Sequence, residues 1–183
     1  MKRIDYDYLG DVQRFVLSTP VYKLKVDNET IIKELNSSVV RLSDNPLDSH
    51  FEDFKINFQT SPKTKELCDT IDNIIIDKFS STMNVQTAGN KWAHIQQPLE
   101  SCNPHTHKPC QLSFVYYVKA SKNSGDFVFL MDPTDDTMSI SIPPEDGILM
   151  LFPSWIKHKV NKNLSKDLRI SISGNYTLNE KSR

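Results

Sequence analysis

The sequence predicts a mainly β, α+β domain in which a helical N-terminal layer precedes a double-sheet jelly roll. Three observations carry this. Up to about residue 80 the apolar residues recur at helical spacing. Beyond Gly89 they recur in short alternating runs separated by turn residues. The length, 183 residues and 21.0 kDa, suits one domain that buries a core without staples.

Residues 1–18 are polar and weakly patterned and read as a leader. Thr19-Pro20 opens a short strand carrying Val21, Leu24 and Val26. A helix is predicted over 29–42, with Ile31, Ile32, Leu35 and Val39 on one face and Asp27 or Asn28 as its cap. Residues 44–60 are loop-like, with a strand at Phe54–Phe58. The clearest helix is 62–80: Ser61 sits at the cap position, Pro62 in the first turn, and Leu67, Ile71, Ile74, Ile75 and Phe79 form the stripe. Strands follow at Trp92–Gln96, Leu112–Lys119, Phe127–Met131, Met138–Ile142, Ile148–Phe152 and Leu168–Leu178. Turn signals separate them, such as Asn123-Ser124-Gly125, Asp132-Pro133 and Pro143 to Gly147. No linker divides the halves. The domain is read as 19–183, with a helical layer over 28–82 and a β core over 90–178.

Composition excludes several function classes. The 22 basic and 23 acidic side chains leave a formal charge of −1, so there is no strong nucleic-acid signal. No apolar run approaches the roughly 20 residues of a membrane span, and the N-terminus MKRIDYDYLGD lacks the apolar segment of a secretory signal. Cys68, Cys102 and Cys110 are an odd, low count, which argues for a reducing, cytoplasmic compartment rather than a disulfide framework.

The candidate chemistry begins with His105-Thr106-His107. In an extended backbone these side chains share a face, with Cα atoms roughly 6.6 Å apart, and both can converge on one metal ion. His158 follows 53 residues after His105, far enough for an antiparallel strand to return beside it. Three nitrogen ligands would leave open positions for substrate or oxygen. A His-x-His pair also occurs as two ordinary surface residues. His50 and His94 have no such company and are read as structural.

Arg169-Ile170-Ser171-Ile172-Ser173-Gly174-Asn175 places Arg169, Ser171, Ser173 and Asn175 on one strand face. Any surface strand shows such a face. Alternatively it is a buried carboxylate site, because the planar guanidinium binds a carboxylate in a bidentate way and a neighbouring hydroxyl adds a contact. His158 precedes Arg169 by 11 residues, which suits a strand end, a turn and the next strand. If parity carries through Pro109, Tyr117 points into the same cavity; core packing is the competing role for Tyr116 and Tyr117.

Taken in order, His105-x-His107, Phe114 to Val118, Ser124-Gly125-Asp126-Phe127-Val128-Phe129, Gly147 to Pro153, His158-x-Val160 and Arg169-x-Ser171 resemble the 2-oxoglutarate and iron(II)-dependent oxygenases. The nearest likeness is to a bacterial and phage branch related to the prolyl hydroxylases. Trp92-Ala93-His94-Ile95 and Thr19-Pro20-Val21-Tyr22 are similar to that branch too, so the resemblance spans about residues 15–178. It implies a double-stranded β-helix with N-terminal helices packed on one sheet. It implies His105 and His158 as iron ligands, and Arg169 as partner of the distal carboxylate of 2-oxoglutarate, assisted by Ser171 and Tyr117. Oxygen would be the second co-substrate, and a small molecule or a peptidyl residue would be hydroxylated.

One departure from the superfamily matters. Where most members carry His-x-Asp or His-x-Glu, this chain has His107. Neutral imidazole still offers a lone pair, but the metal centre becomes one unit more positive, which favours an anionic co-substrate. Three histidines also suit zinc, or iron in a thiol dioxygenase, though neither needs Arg169-x-Ser171. Asp126 and Asp132 carry carboxylates but not at the matching position. The alternative function is a non-catalytic jelly-roll binding or assembly module with a structural metal. Substrate contacts would come from loops 43–61, 96–104 and 132–137.

Overall fold

The computed structural model describes residues 20–41, 53–131 and 138–181. The leader 1–18, most of the loop 43–61, the loop 132–137 with Asp132, and His50 lie outside the described residues. The strands are β1 (Val21–Lys23), β2 (Val39–Arg41), β3 (Asp53–Ile56), β4 (Met83–Gln96), β5 (Cys102–His105), β6 (Leu112–Lys119), β7 (Phe127–Leu130), β8 (Ser139–Ile142), β9 (Ile148–Pro153), β10 (His158–Val160) and β11 (Arg169–Glu180). The helices are α1 (Asn28–Ser38) and α2 (Pro62–Phe79). Among the described residues no helix is long and apolar enough to cross a membrane.

The strands form two antiparallel sheets. One is seven-stranded, ordered β1-β9-β6-β11-β4-β3-β2, and the other four-stranded, ordered β5-β10-β7-β8. This is the expected jelly roll. Alternation along each strand of the large sheet serves two cores. Phe114, Tyr116, Leu149, Leu151, Ile170 and Ile172 face the helices and pack with Ile31 and Leu35 of α1 and Leu67, Ile71 and Ile75 of α2. Val115, Tyr117, Met150 and Phe152 face inward and pack with Phe127, Phe129 and Val160 of the small sheet. Each fully buried aliphatic side chain stabilises the fold by about 1.5–3 kcal/mol. Polar ties fix the helices on the sheet. The Tyr116 hydroxyl donates to Asn28 Oδ1 at 2.8 Å, and Asp72 of α2 accepts from the Tyr176 hydroxyl and from Lys91 Nζ at 2.9 Å.

Several boundaries differ from the sequence expectation. The first helix ends at Ser38 rather than 42, because the β-branched pair Val39-Val40 leaves it to pair with β3, Val39 opposite Ile56. The first strand stops at Lys23, and Leu24 and Val26 pack beside the helices instead. The β texture starts at Met83, not after Gly89. Gly89, with φ +76°, marks a bulge: Ala88 pairs with Asn175 and Trp92 with Ser173, so residues 89–91 oppose Gly174 alone. The short strands β5 and β10 carry no apolar run of their own, but the extended backbone expected at His105 and the returning strand expected at His158 are both present.

Capping divides in the same way. Asp27 caps α1 as expected, accepting from Thr30 N at 3.1 Å and Thr30 Oγ1 at 2.7 Å. Ser61 occupies the cap position of α2 but makes no side-chain cap bond. Glu34 of α1 supplies it, accepting from Lys63 N at 2.9 Å and from Thr64 N and Oγ1, each at 2.8 Å. Burial pushes the Glu34 carboxyl up, but these hydrogen bonds and the Lys63 charge outweigh it and hold the group below its ordinary 4.5.

Two predictions follow from this packing. Glu34→Ala leaves two N-terminal amides of α2 without their acceptor and should cost about 1–2 kcal/mol in urea unfolding at pH 7. Because the folded-state pKa is depressed, that stabilisation is present above the unfolded-state value and is lost as pH falls through the folded one, so parent and variant should converge in acid. At Gly125, φ is +98° and an added Cβ would lie 2.2 Å from the Asn161 carbonyl oxygen, whereas Gly89 has open space. Gly125→Ala should therefore destabilise by about 2 kcal/mol or more, and Gly89→Ala by only the roughly 1 kcal/mol of left-handed strain.

Candidate active site

The small sheet and the loop after β5 bring the three histidines together. His105 ends β5 and His158 opens β10, and the two are direct partners in the antiparallel ladder. His107 lies just beyond β5 rather than on it, so the pair does not share a strand face as expected. Its position comes from the loop. His107 N donates to Ser154 O at 2.8 Å, and Cys110 N donates to His107 O at 3.0 Å. The ring centroids lie 4.3 Å (His105–His158), 4.9 Å (His105–His107) and 5.0 Å (His107–His158) apart. One ligand atom from each falls within 4.8 Å of the others.

The second hydrogen bonds of these rings suit metal binding. His105 Nδ1 donates to Asn103 O at 2.8 Å, and His158 Nδ1 donates to Ile156 O at 2.9 Å. A proton on Nδ1 leaves the Nε2 lone pair for a metal. His158 is only 2 % exposed, stacked on Phe127 at 4.9 Å and edged by Phe152 at 5.0 Å. That burial, with His105 and His107 beside it, lowers His158 to about 3, so the ring is neutral and can ligate. Three imidazoles at this spacing fit a divalent iron or zinc ion.

Arg169 supplies the positive pole. It stands at the start of β11, directly opposite Gln96 of β4, and is 1 % exposed. The polar face of β11 is therefore not a surface strand; it is turned into the space between the sheets. Arg169 Nη1 donates to Gln96 Oε1 at 3.2 Å, and the guanidinium lies 5.0 Å from the Tyr117 ring centroid. Arg169 Nε and Nη2 and the Tyr117 hydroxyl are buried without hydrogen-bond partners. Among the described residues no carboxylate pairs with this guanidinium. A buried cation with two idle donors is costly unless an anion completes it. Burial raises the Tyr117 hydroxyl above its ordinary value, against the opposing Arg169 charge, so it stays a neutral donor.

One cavity of about 60 Å³, room for several waters, is lined by His105, His107, His158, Arg169 and Ser171 together. Ser171 is 2 % exposed, in register between Tyr117 and His94. Tyr117 does not form the cavity wall. It packs against the guanidinium within the inner apolar cluster, because β6 presents Val115 to the cavity at this point. Asp126 is outside the histidine cluster; its carbonyl accepts from Asn161 N at 2.9 Å.

Sequence reasoning missed Trp92, His94, Gln96 and Cys102. All except Gln96 line the cavity, and Gln96 holds Arg169. His94 is thus a cavity residue, not merely a core histidine. The signal existed in part, since Trp92, His94 and Gln96 share parity on a predicted strand. What was missing was their pairing with Ser173, Ser171 and Arg169.

Comparison with known proteins agrees with this geometry. Residues 90–175 match the model of the family described as "Putative 2OG-Fe(II) oxygenase". Comparison with curated proteins gives no match. A prolyl hydroxylase from Trichoplax adhaerens, solved with a hypoxia-inducible-factor peptide fragment, is similar at TM-score 0.67 and 15% identity, covering 92% of this chain and 86% of that one. A Pseudomonas putida prolyl-4-hydroxylase is similar at TM-score 0.63 and 12% identity, covering 95% and 97%. HygX from Streptomyces hygroscopicus, with nickel and 2-oxoglutarate bound, is similar at TM-score 0.67 and 10% identity, covering 94% and 87%. At such identities these neighbours show the fold. The matched segment, a little under half of the chain, holds all three histidines, Arg169 and Ser171, and in that segment the chain is similar to the 2-oxoglutarate and iron(II)-dependent oxygenases.

Proposed function

We propose that the chain is a 2-oxoglutarate-dependent hydroxylase whose iron is held by His105, His107 and His158 and whose 2-oxoglutarate is anchored at Arg169. The observation that carries this reading is the buried guanidinium with two idle donors in the same cavity as three convergent imidazoles. When bound, the metal and 2-oxoglutarate supply the oxidising chemistry: one oxygen molecule converts 2-oxoglutarate to succinate and carbon dioxide and leaves a hydroxyl on the substrate carbon.

The protein's own contribution is placement and charge. Arg169 offers Nε and Nη2 to the distal carboxylate, with Ser171 as a further donor, while the Tyr117 ring backs the guanidinium. Phe127, Phe152 and Val160 keep water from the inner wall. With His107 in the place of a carboxylate, the ligand set is uncharged. The cavity then carries the full metal charge plus Arg169, which suits a dianionic co-substrate. For the substrate we propose a peptidyl residue. The Trichoplax neighbour is named for a peptide complex, and HygX also appears with hygromycin B, so a small molecule is the contrasting outcome in a substrate screen.

Anaerobic titration of the iron(II) protein with 2-oxoglutarate should produce the weak visible metal-to-ligand charge-transfer band. Iron bound with no band would turn the reading toward a structural metal in a binding module. Arg169→Ala should keep iron but weaken 2-oxoglutarate binding by about 10–100-fold, the worth of lost charged hydrogen bonds. His158→Ala should abolish stoichiometric iron binding. His107→Asp should retain iron while lowering 2-oxoglutarate affinity several-fold, because the centre loses one unit of positive charge; unchanged keto-acid affinity would show that charge is not what His107 contributes.

A further inference from the structure

Arg169 is not placed by its own strand alone. Gln96, 1 % exposed, stands across the β4–β11 ladder from it. The Gln96 amide is fixed in one orientation: Nε2 donates to Glu100 O at 2.6 Å and to Asn161 O at 3.3 Å. Only its oxygen remains, and it faces Arg169 Nη1 at 3.2 Å. The backbone is tied to the same residue. Asn163, fully buried, donates from Nδ2 to Gln96 O at 3.3 Å and to Asp167 O at 2.8 Å, two residues before Arg169. The loops on either side are joined by Leu99 N to Asn163 O at 2.7 Å and Asn163 N to Glu100 O at 2.8 Å. Both the entry of the chain into β11 and the tip of the guanidinium are therefore referenced to one glutamine.

The chemistry of that partner matters as much as its position. A carboxylate there would form an ion pair and neutralise the arginine before any ligand arrived. An amide oxygen orients one nitrogen through a dipole and leaves the full charge, with Nε and Nη2, to an incoming anion. We propose that Gln96 is the positioning residue that sets selectivity for a keto acid with a distal carboxylate, by holding Arg169 oriented but not neutralised. This rests on the reading of Arg169 as the 2-oxoglutarate anchor.

The test compares two ligands on the iron(II) protein by anaerobic calorimetry: 2-oxoglutarate, and 2-oxobutyrate, which lacks the distal carboxylate. Gln96→Glu should weaken 2-oxoglutarate by about 100-fold and Gln96→Met by about tenfold, the range expected when a charged hydrogen bond is lost or pre-empted. Both should leave 2-oxobutyrate affinity and iron stoichiometry close to the parent's. Urea unfolding without ligand separates this from a folding defect, and the Met variant stands if the Glu variant does not fold. Equal weakening of both ligands, or unchanged 2-oxoglutarate affinity in the folded variants, overturns the proposal. A parent protein that binds no 2-oxoglutarate overturns the functional reading and this inference with it.

Discussion

Strands β6, β9 and β11 carry two sets of side chains in alternation, and everything else in the molecule depends on that two-residue period. One set is apolar and is covered by α1 and α2. The other points between the sheets, where it is apolar near Phe127 and Phe129 and polar near Arg169 and Ser171. A slip of one residue in the β4–β11 register would send Arg169 and Ser171 into the helical core and Ile170 and Ile172 into the cavity. The helical layer thus acts on the site from a distance. By sealing the apolar face it fixes which face of the strand can be functional.

The cavity is built at a cost to stability. An unsatisfied buried polar group costs about 1–3 kcal/mol, and Arg169 Nε, Arg169 Nη2 and the Tyr117 hydroxyl are three such atoms. His158 is held neutral by burial far below its ordinary pKa. None of these helps the empty protein fold. Under the proposed function they are groups prepared for partners that arrive later, an anion for the arginine and a metal ion for the imidazoles. Several polar groups of the scaffold, by contrast, are paired. Glu34 completes the start of α2, Asp27 completes α1, and Asp72 joins Tyr176 to Lys91.

The imidazole cluster and the buried guanidinium are reached by different constructions. The histidines come from the small sheet and its β5 exit, where a loop hydrogen bond to Ser154 turns His107 back toward the ladder. The arginine comes from the large sheet. The cavity is the gap between the sheets, so its two poles move independently only if the sheets do. Phe127, Phe152 and Val160 pack between them. A fixed separation of the imidazole cluster and the guanidinium is what the proposed keto acid would require, since its two ends must be met at once.

The sequence by itself determined the local chemistry and the alternation. The His105-x-His107 spacing, the later His158, and the Arg169-x-Ser171 parity were readable because strand period and ligand chemistry are local properties. The two long helices and the strands at 112–119 and 148–153 were readable for the same reason. What only tertiary structure decided was which face lay inside and who stood opposite whom. Val39-Val40 left its helix for a strand because β3 offered a partner. Ser61 yielded its capping role to Glu34 because α1 passes the start of α2. Gln96 and His94 joined the site only through the register of β4 against β11. These are contacts between residues far apart in the chain, and no local pattern encodes the closing of such distances; the balance of burial over the whole molecule does.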